Sequence, residues 1–311
     1  MNKTTSAHLA LLGATVIYGV NYLIARQAMR TYPIHPHEFV LLRVAFGALV
    51  FTSVDFFRRG PLPEKKDWPR FIYCAIFGVV INQVCFFDGL KLTVPIHASV
   101  IMTLTPMVTF ILAVIFFKKT IYRSQIYGVL LGWIGAAWMI LNGQKLHFDQ
   151  EIIIGDILII ANAISFSIFL ILATELMLRY SPFTVMRWIF SIGLMIMLPL
   201  AWPYLGDTPW ATFGRPVWLS LAYILLFTTV LAYMFNTIAL KRLSPTVVSA
   251  YIYLQPILAG FLSVFFGLEK LNGHKVFAAG LVFLGVGLVS WPIERLKRVE
   301  KSNFNTPHKV N

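Results

Sequence analysis

The chain reads as long apolar runs separated by short polar connections. Ten runs, at residues 8–25, 38–57, 71–90, 95–117, 124–143, 155–178, 184–205, 217–240, 245–268 and 275–292, each extend for about 18–25 residues. That length crosses a ~30 Å hydrocarbon core as a helix. Backbone groups in lipid must be paired within their own segment, and the runs lack the alternation of membrane barrel strands, so each predicts a transmembrane helix. The expected fold class is an all-α polytopic membrane protein with ten transmembrane helices. The tail from Glu294 to Asn311 is polar and basic and predicts an unstructured end.

One stretch repeats. Leu90–Phe116 returns 150 residues later as Leu240–Phe266, with Leu90/Leu240, Lys91/Lys241, Pro95/Pro245, Ser99/Ser249, Leu104/Leu254 and Pro106/Pro256 in step, and the register reaches Gly135/Gly285. Two prolines and a lysine in register are harder to obtain by chance than shared Leu and Val. The chain therefore divides into a five-helix unit at 1–145, a second at 146–293 and a basic tail at 294–311. Five is odd, so the second unit must enter the membrane the other way up. Inverted repeats of this kind underlie many secondary transporters, because exchanging the conformations of the two halves turns an outward-open cavity into an inward-open one.

Composition agrees with the pattern. The chain is 58% hydrophobic and only 13% charged, with mean hydropathy +0.74, which excludes a soluble globule. A net charge of +13 would suggest nucleic acid in a soluble protein; here Lys and Arg lie in loops, where they set orientation. With the N-terminus cytoplasmic, inner segments hold 17 of them and outer loops 7. The expected placement is a cell inner membrane, multi-pass, with both termini cytoplasmic. Cys74 and Cys85 share one apolar run and are expected to be free thiols. The first run lacks a cleavage pattern and reads as a retained span.

The residues also resemble a known family. GATVIYGVNYLIAR, LLRVAFGAL, GLKLTVPIHASVIMTLTPMVTFIL with its echo, and the Gly-rich GVLLGWIGAAWMIL and AAGLVFLGVGLVSW are similar to the EamA-type family of the drug/metabolite transporter superfamily. The resemblance covers nearly all of residues 8–292. It implies ten helices, a central cavity lined by spans 1–4 and 6–9, and peripheral spans 5 and 10. Tyr18-Gly19 stands where the family often has Trp-Gly, and Asp88 where a small or apolar residue is usual.

Several residues carry candidate chemistry. Asn21, Asn82, Asn162 and Asn236 place amides in apolar spans, where each must face a partner, a cavity or water; they read either as cavity lining or as inter-helix glue. Tyr18, Tyr251, Tyr253 and Gln255 add aromatic and amide surface that suits a small metabolite with polar and apolar parts. Pro106 and Pro256 each remove a helical hydrogen bond, which predicts an interruption that serves as a hinge or as a static kink. Arg43 and Arg187 occupy corresponding places in spans 2 and 7 and either snorkel or bind a substrate carboxylate. Asp88, His97 and Glu175 are the groups that a proton coupling would use. Gly128, Gly132, Gly280, Gly285 and Gly287 permit close packing of spans 5 and 10, as a monomer or a weak dimer.

Three function classes compete. A secondary transporter, expected to export small organic metabolites such as amino acids by alternating access, fits the inverted duplication. A passive channel or structural membrane subunit would not need two inverted copies. An intramembrane enzyme would need a nucleophile–base pair or ligand cluster, and no H-E-x-x-H, G-x-S-x-G or Cys/His metal spacing is present. The expectation is a non-enzyme without cofactor or metal, whose partners are the bilayer, a small solute and a proton as coupling ion, not nucleic acid.

Overall fold

The computed structural model describes residues 3–31, 34–93, 95–117, 122–141, 149–265 and 273–304, with the side chains of 3, 22–31, 95–96, 259, 262–264 and 291–304 outside the description. The loop cations Lys118, Lys119, Lys145, Lys270 and Lys309, and Phe266 of the repeat, lie outside the described residues. Everything described is helix or short connection, with no strand among it.

The helices run in order as α1 (Lys3–Thr31), α2 (Pro36–Phe57), α3 (Trp68–Ala75), α4 (Asn82–Leu92), α5 (Pro95–Met102), α6 (Thr105–Phe117), α7 (Arg123–Leu141) and α8 (Gln150–Arg179). They continue as α9 (Pro182–Ala201), α10 (Arg215–Tyr223), α11 (Ala232–Leu240), α12 (Pro245–Ala250), α13 (Leu254–Phe265) and α14 (Gly273–Phe304). Local sequence sets several starts. The Ser181 and Ser244 hydroxyls accept from the backbone N–H groups of Thr184 and Val247, and Pro182 and Pro245 follow with φ preset for a first turn.

Eight stretches are long and apolar enough to cross a membrane: Pro36–Phe57, Lys65–Leu92, His97–Phe117, Arg123–Leu141, Gln150–Arg179, Pro182–Tyr204, Arg215–Leu240 and Gly273–Ser290. The other two expected runs are also helical, within α1 and across α12 and α13, but they fall outside these eight. The tail departs from expectation. α14 does not stop at its apolar end but continues as helix to Phe304, because nothing between Glu294 and Phe304 breaks a helix: no proline or glycine occurs there.

Two irregularities recur in the register of the repeat. α3 passes into α4 through a π-helical segment, Ile76–Ile81, and α10 passes into α11 through another, Ile224–Leu231. Adding 150 to 76–81 gives 226–231, inside the second segment. Helix also breaks at Thr103–Leu104, before Pro106, and tightens to a 3-10 turn at Tyr251–Tyr253, before Pro256. Regular α-helix is thus interrupted ahead of each of these prolines.

Packing follows the same correspondence. α2 packs on α9 and α7 on α14, while α1 against α11 is matched by α8 against α4. Glycines bring α7 and α14 to backbone contact: a Cβ on Gly285 would lie 2.5 Å from the Gly132 nitrogen and 2.7 Å from the Gly128 carbonyl oxygen. The main buried cluster runs through both halves, including Val44, Phe51, Phe71, Leu170, Phe190 and Met197. Large apolar side chains such as Leu49, Phe56, Ile115, Phe261 and Leu284 face outward, as lipid-facing positions would.

Candidate functional site

Arg43 lies at the middle of the polar interior. It comes from α2, is buried at 8% exposure, and its Nε donates to the Thr229 hydroxyl at 3.0 Å. Thr229 is set in the second π segment, where the loosened ladder is satisfied by hydroxyls: Thr228 and Thr229 both donate to the Ile224 carbonyl. The first π segment is treated likewise. Ser165 donates to the Phe77 carbonyl at 2.5 Å and Tyr233 to the Gly78 carbonyl at 3.1 Å. A π segment frees a carbonyl and re-aims a side chain. The fold uses it at mid-span in both halves.

Around Arg43, the Phe87 and Phe39 rings lie 5.2 and 5.9 Å from the guanidinium carbon and meet edge to face at 4.9 Å. Tyr18 and Tyr233 are near enough to interact with it electrostatically, and Tyr18 shares a side-chain hydrogen bond with Asn236. Asn21 follows Tyr18 by three residues on the same helix face, and its Oδ1 is buried without a partner. Gln83, at 2% exposure, has neither amide atom hydrogen-bonded. An unsatisfied buried polar group costs about 1–3 kcal/mol.

The other expected residues separate into distinct settings. Asn82 and Asn162 clamp α4 to α8, each Nδ2 donating to the other's backbone carbonyl, at 3.4 and 2.6 Å. Tyr253 is fully buried against α7 and donates to the Val129 carbonyl at 3.1 Å. Tyr251 meets the His8 Nδ1 at 2.8 Å. Gln255 is half-buried at the start of α13, where Pro256 follows, and Pro106 occupies the matching place in α6. Asp88 faces His37 at 3.7 Å, Glu175 pairs with Arg70 at 2.5 Å, and Arg187 pairs with Asp55 at 3.2 Å. His97, 4% exposed, meets Asp156 at 2.7 Å, and the Thr93 hydroxyl donates to the other Asp156 oxygen.

Several of these partners escaped sequence reasoning. Asp55, Asp67, Asp156 and Glu38 are carboxylates in or beside apolar runs, and that signal alone marks them. Asp55 is wholly buried and also accepts from the Thr184 hydroxyl at 2.8 Å. Asp67 takes Arg179 at 2.6 Å and the Tyr180 hydroxyl at 2.8 Å; burial, with that bond to Asp67, raises the Tyr180 phenol above its ordinary range. Glu38 accepts from Trp210 Nε1 at 2.8 Å and from the Thr208 N–H at 3.2 Å. Gln83, Thr229 and Tyr233 had no such signal, since a neutral polar residue in a span is common. Cys74 and Cys85 are free. Among the described residues no group of three or more His, Cys, Asp or Glu side chains is placed to hold a metal.

Two surface concavities lie elsewhere. One of about 390 Å³ runs along Trp133–Leu141, and one of about 410 Å³ is bordered by His8, Leu12, Tyr251 and Phe283. The first is lined chiefly by apolar surface, and neither is lined by Arg43. The buried amides and guanidinium, not the concavities, mark the chemistry.

These features define a multi-pass α-helical membrane protein with a polar interior built from both halves of the chain. The EamA-like transporter family matches residues 5–141 and again 153–291, and the chain belongs to that family. It is 24% identical to the uncharacterized transporter YyaM of Bacillus subtilis, over 91% of this chain and 93% of that protein. An uncharacterized transporter of Archaeoglobus fulgidus is 22% identical, over 93% and 98% respectively, and a WAT1-related protein of Arabidopsis thaliana 25%, over 91% and 83%. A solved crystal structure superposes with a TM-score of 0.75 at 19% identity, covering 94% of this chain and 99% of its own, and so shares the fold.

Proposed function

We propose that the chain is a secondary transporter that moves a small organic metabolite across a cell inner membrane by alternating access. Its ten spans are two inverted five-helix repeats, 1–145 and 146–293, with both termini cytoplasmic and export as the working direction. One observation carries the reading: the Arg43 cluster draws Tyr18, Phe39 and Phe87 from one half and Thr229, Tyr233 and Asn236 from the other. A solute bound there touches both halves and is released when they exchange conformations.

Polar contacts close both approaches. Asp55–Arg187, Asp67–Arg179 and Arg70–Glu175 join the halves on one side. Glu38 with Thr208 and Trp210, and His97 with Asp156, join them on the other. If the cycle is proton-coupled, His97, Asp88 and Glu175 are the groups to neutralise, and Asp156 joins them.

The test is transport by the purified chain in liposomes. Saturable solute movement that stops when α6 and α13 are cross-linked supports the reading. Passive flux without saturation supports a channel instead. Orientation is checked by labelling single cysteines placed at either terminus in intact cells.

A further inference from the structure

We propose that Arg43 and Gln83 form a binding site for the carboxylate of a small organic anion, whose apolar body lies against Phe39 and Phe87. This rests on the transport reading and narrows it from metabolites in general to carboxylates without an ammonium group. The guanidinium carries five N–H donors. Its Nε is committed to Thr229, and no acceptor among the described residues is hydrogen-bonded to its two terminal nitrogens. A buried cation in this state needs an anion or water.

The arginines paired at the bundle's ends show what is missing. Arg187 has Asp55, Arg179 has Asp67 and Arg70 has Glu175. Arg43 enters no ion pair with a described residue. Neighbouring carboxylates are committed elsewhere: Glu38 accepts from the 206–210 connection, Asp55 pairs with Arg187, and Asp88, next to Phe87, faces His37. The counter-charge is left for a ligand to supply.

Gln83 is a second and independent indication. It is 98% buried, both its amide atoms lack partners, and it lies one helical turn before Phe87, whose ring meets Arg43, a spacing that sets the two side chains on one face of α4. An amide N–H together with a guanidinium fork is a donor set that matches a carboxylate. The edge-to-face pair of Phe39 and Phe87 supplies a wall for a flat apolar body. Hydroxyls of Tyr18 and Tyr233 complete the surroundings, and among the described residues no carboxylate interacts with Arg43, so nothing described there would hold an ammonium group, which separates an organic anion from a zwitterionic amino acid.

Thermal unfolding of the full-length protein in detergent, titrated with benzoate, phenylacetate, benzamide and phenylalanine, tests this. Benzoate or phenylacetate should raise the melting temperature saturably, with benzamide and phenylalanine at least tenfold weaker. Arg43→Gln should weaken the carboxylate effect at least tenfold. Gln83→Leu should weaken it several-fold while raising the melting temperature of the ligand-free protein, a readout that survives if Arg43→Gln does not fold. Benzamide matching benzoate, or an unchanged response in Gln83→Leu, overturns the proposal. The two readings fail differently. Saturable liposome transport of phenylalanine without carboxylate binding leaves transport standing and removes this site. Carboxylate binding lost in Arg43→Gln without any transport does the reverse.

Discussion

Asp55 of α2 and Arg187 of α9 form an ion pair at 3.2 Å whose carboxylate is 1% exposed, and the Thr184 hydroxyl satisfies its other oxygen. The pair crosses from one half of the chain to the other, beside the α2–α9 contact. Removing one member of a buried pair leaves an unpaired charge, at a cost of about 3 kcal/mol. Asp55→Asn should therefore lower the melting temperature in detergent markedly. The double variant Asp55→Asn/Arg187→Gln should recover most of the loss, since no charge is then orphaned. A single variant as stable as the parent would show that solvent already screens Arg187.

The seam between α7 and α14 makes a prediction with its own control. Gly285→Ala would drive a Cβ to 2.5 Å from backbone of the facing helix, so the helices must separate, costing about 1–3 kcal/mol. Gly280→Ala and Gly287→Ala, on the same helix, meet nothing within 4 Å and should stay within about 0.5 kcal/mol of the parent. Chemical denaturation of the three variants side by side gives the comparison. Equal losses at all three would place the effect in α14 itself, not the seam.

Acid should destabilise the end of the bundle at His35. That ring stacks on Tyr204 at 4.0 Å and its Nδ1 is buried without a partner. Burial, then His37 and Lys91, hold its pKa below the ordinary 6.5. The unfolded chain thus takes up this proton more readily than the folded one. The contribution is complete above about pH 6.5 and is lost as pH falls below it. His35→Gln should flatten the decline in melting temperature between about pH 7 and pH 5.5; an unchanged slope would assign the decline to other groups.

The sequence made the repeat legible because two prolines, a glycine and a lysine remain in register. Helical spans were legible because lipid demands length and hydrophobicity. Asn82 and Asn162 could not be told from cavity lining, since glue and lining use the same amide and only the partner distinguishes them. The π segments were invisible: no residue type encodes them, and the carbonyls of the first are met by hydroxyls from Ser165 and Tyr233 far along the chain. The Arg43 cluster is legible only in part for the same reason. Its arginine stands out in an apolar run, but Gln83 and Thr229 acquire meaning only from what lies opposite.

If the proposed transport cycle holds, the interruptions at Pro106 and Pro256 should bear on cycling more than on binding. α5 ends at Met102, the Thr103 and Leu104 N–H groups turn to Val100 and Ile101 at 3.1 and 2.9 Å, and α6 resumes with Pro106 in its first turn. Pro106 has no N–H to give to the Met102 carbonyl, and the same holds for Pro256 and Ile252. An alanine restores each donor and favours a continuous helix. One added hydrogen bond, about 1 kcal/mol, placed in one conformation and not the other, changes an exchange rate about fivefold. Pro106→Ala and Pro256→Ala should each slow turnover in liposomes by about that factor while shifting the half-saturating solute concentration less than about twofold. Because the two positions correspond in the repeat, the double variant should slow turnover further. Equal loss of turnover and affinity would make these prolines part of the binding surface, and unchanged turnover would leave them as static kinks.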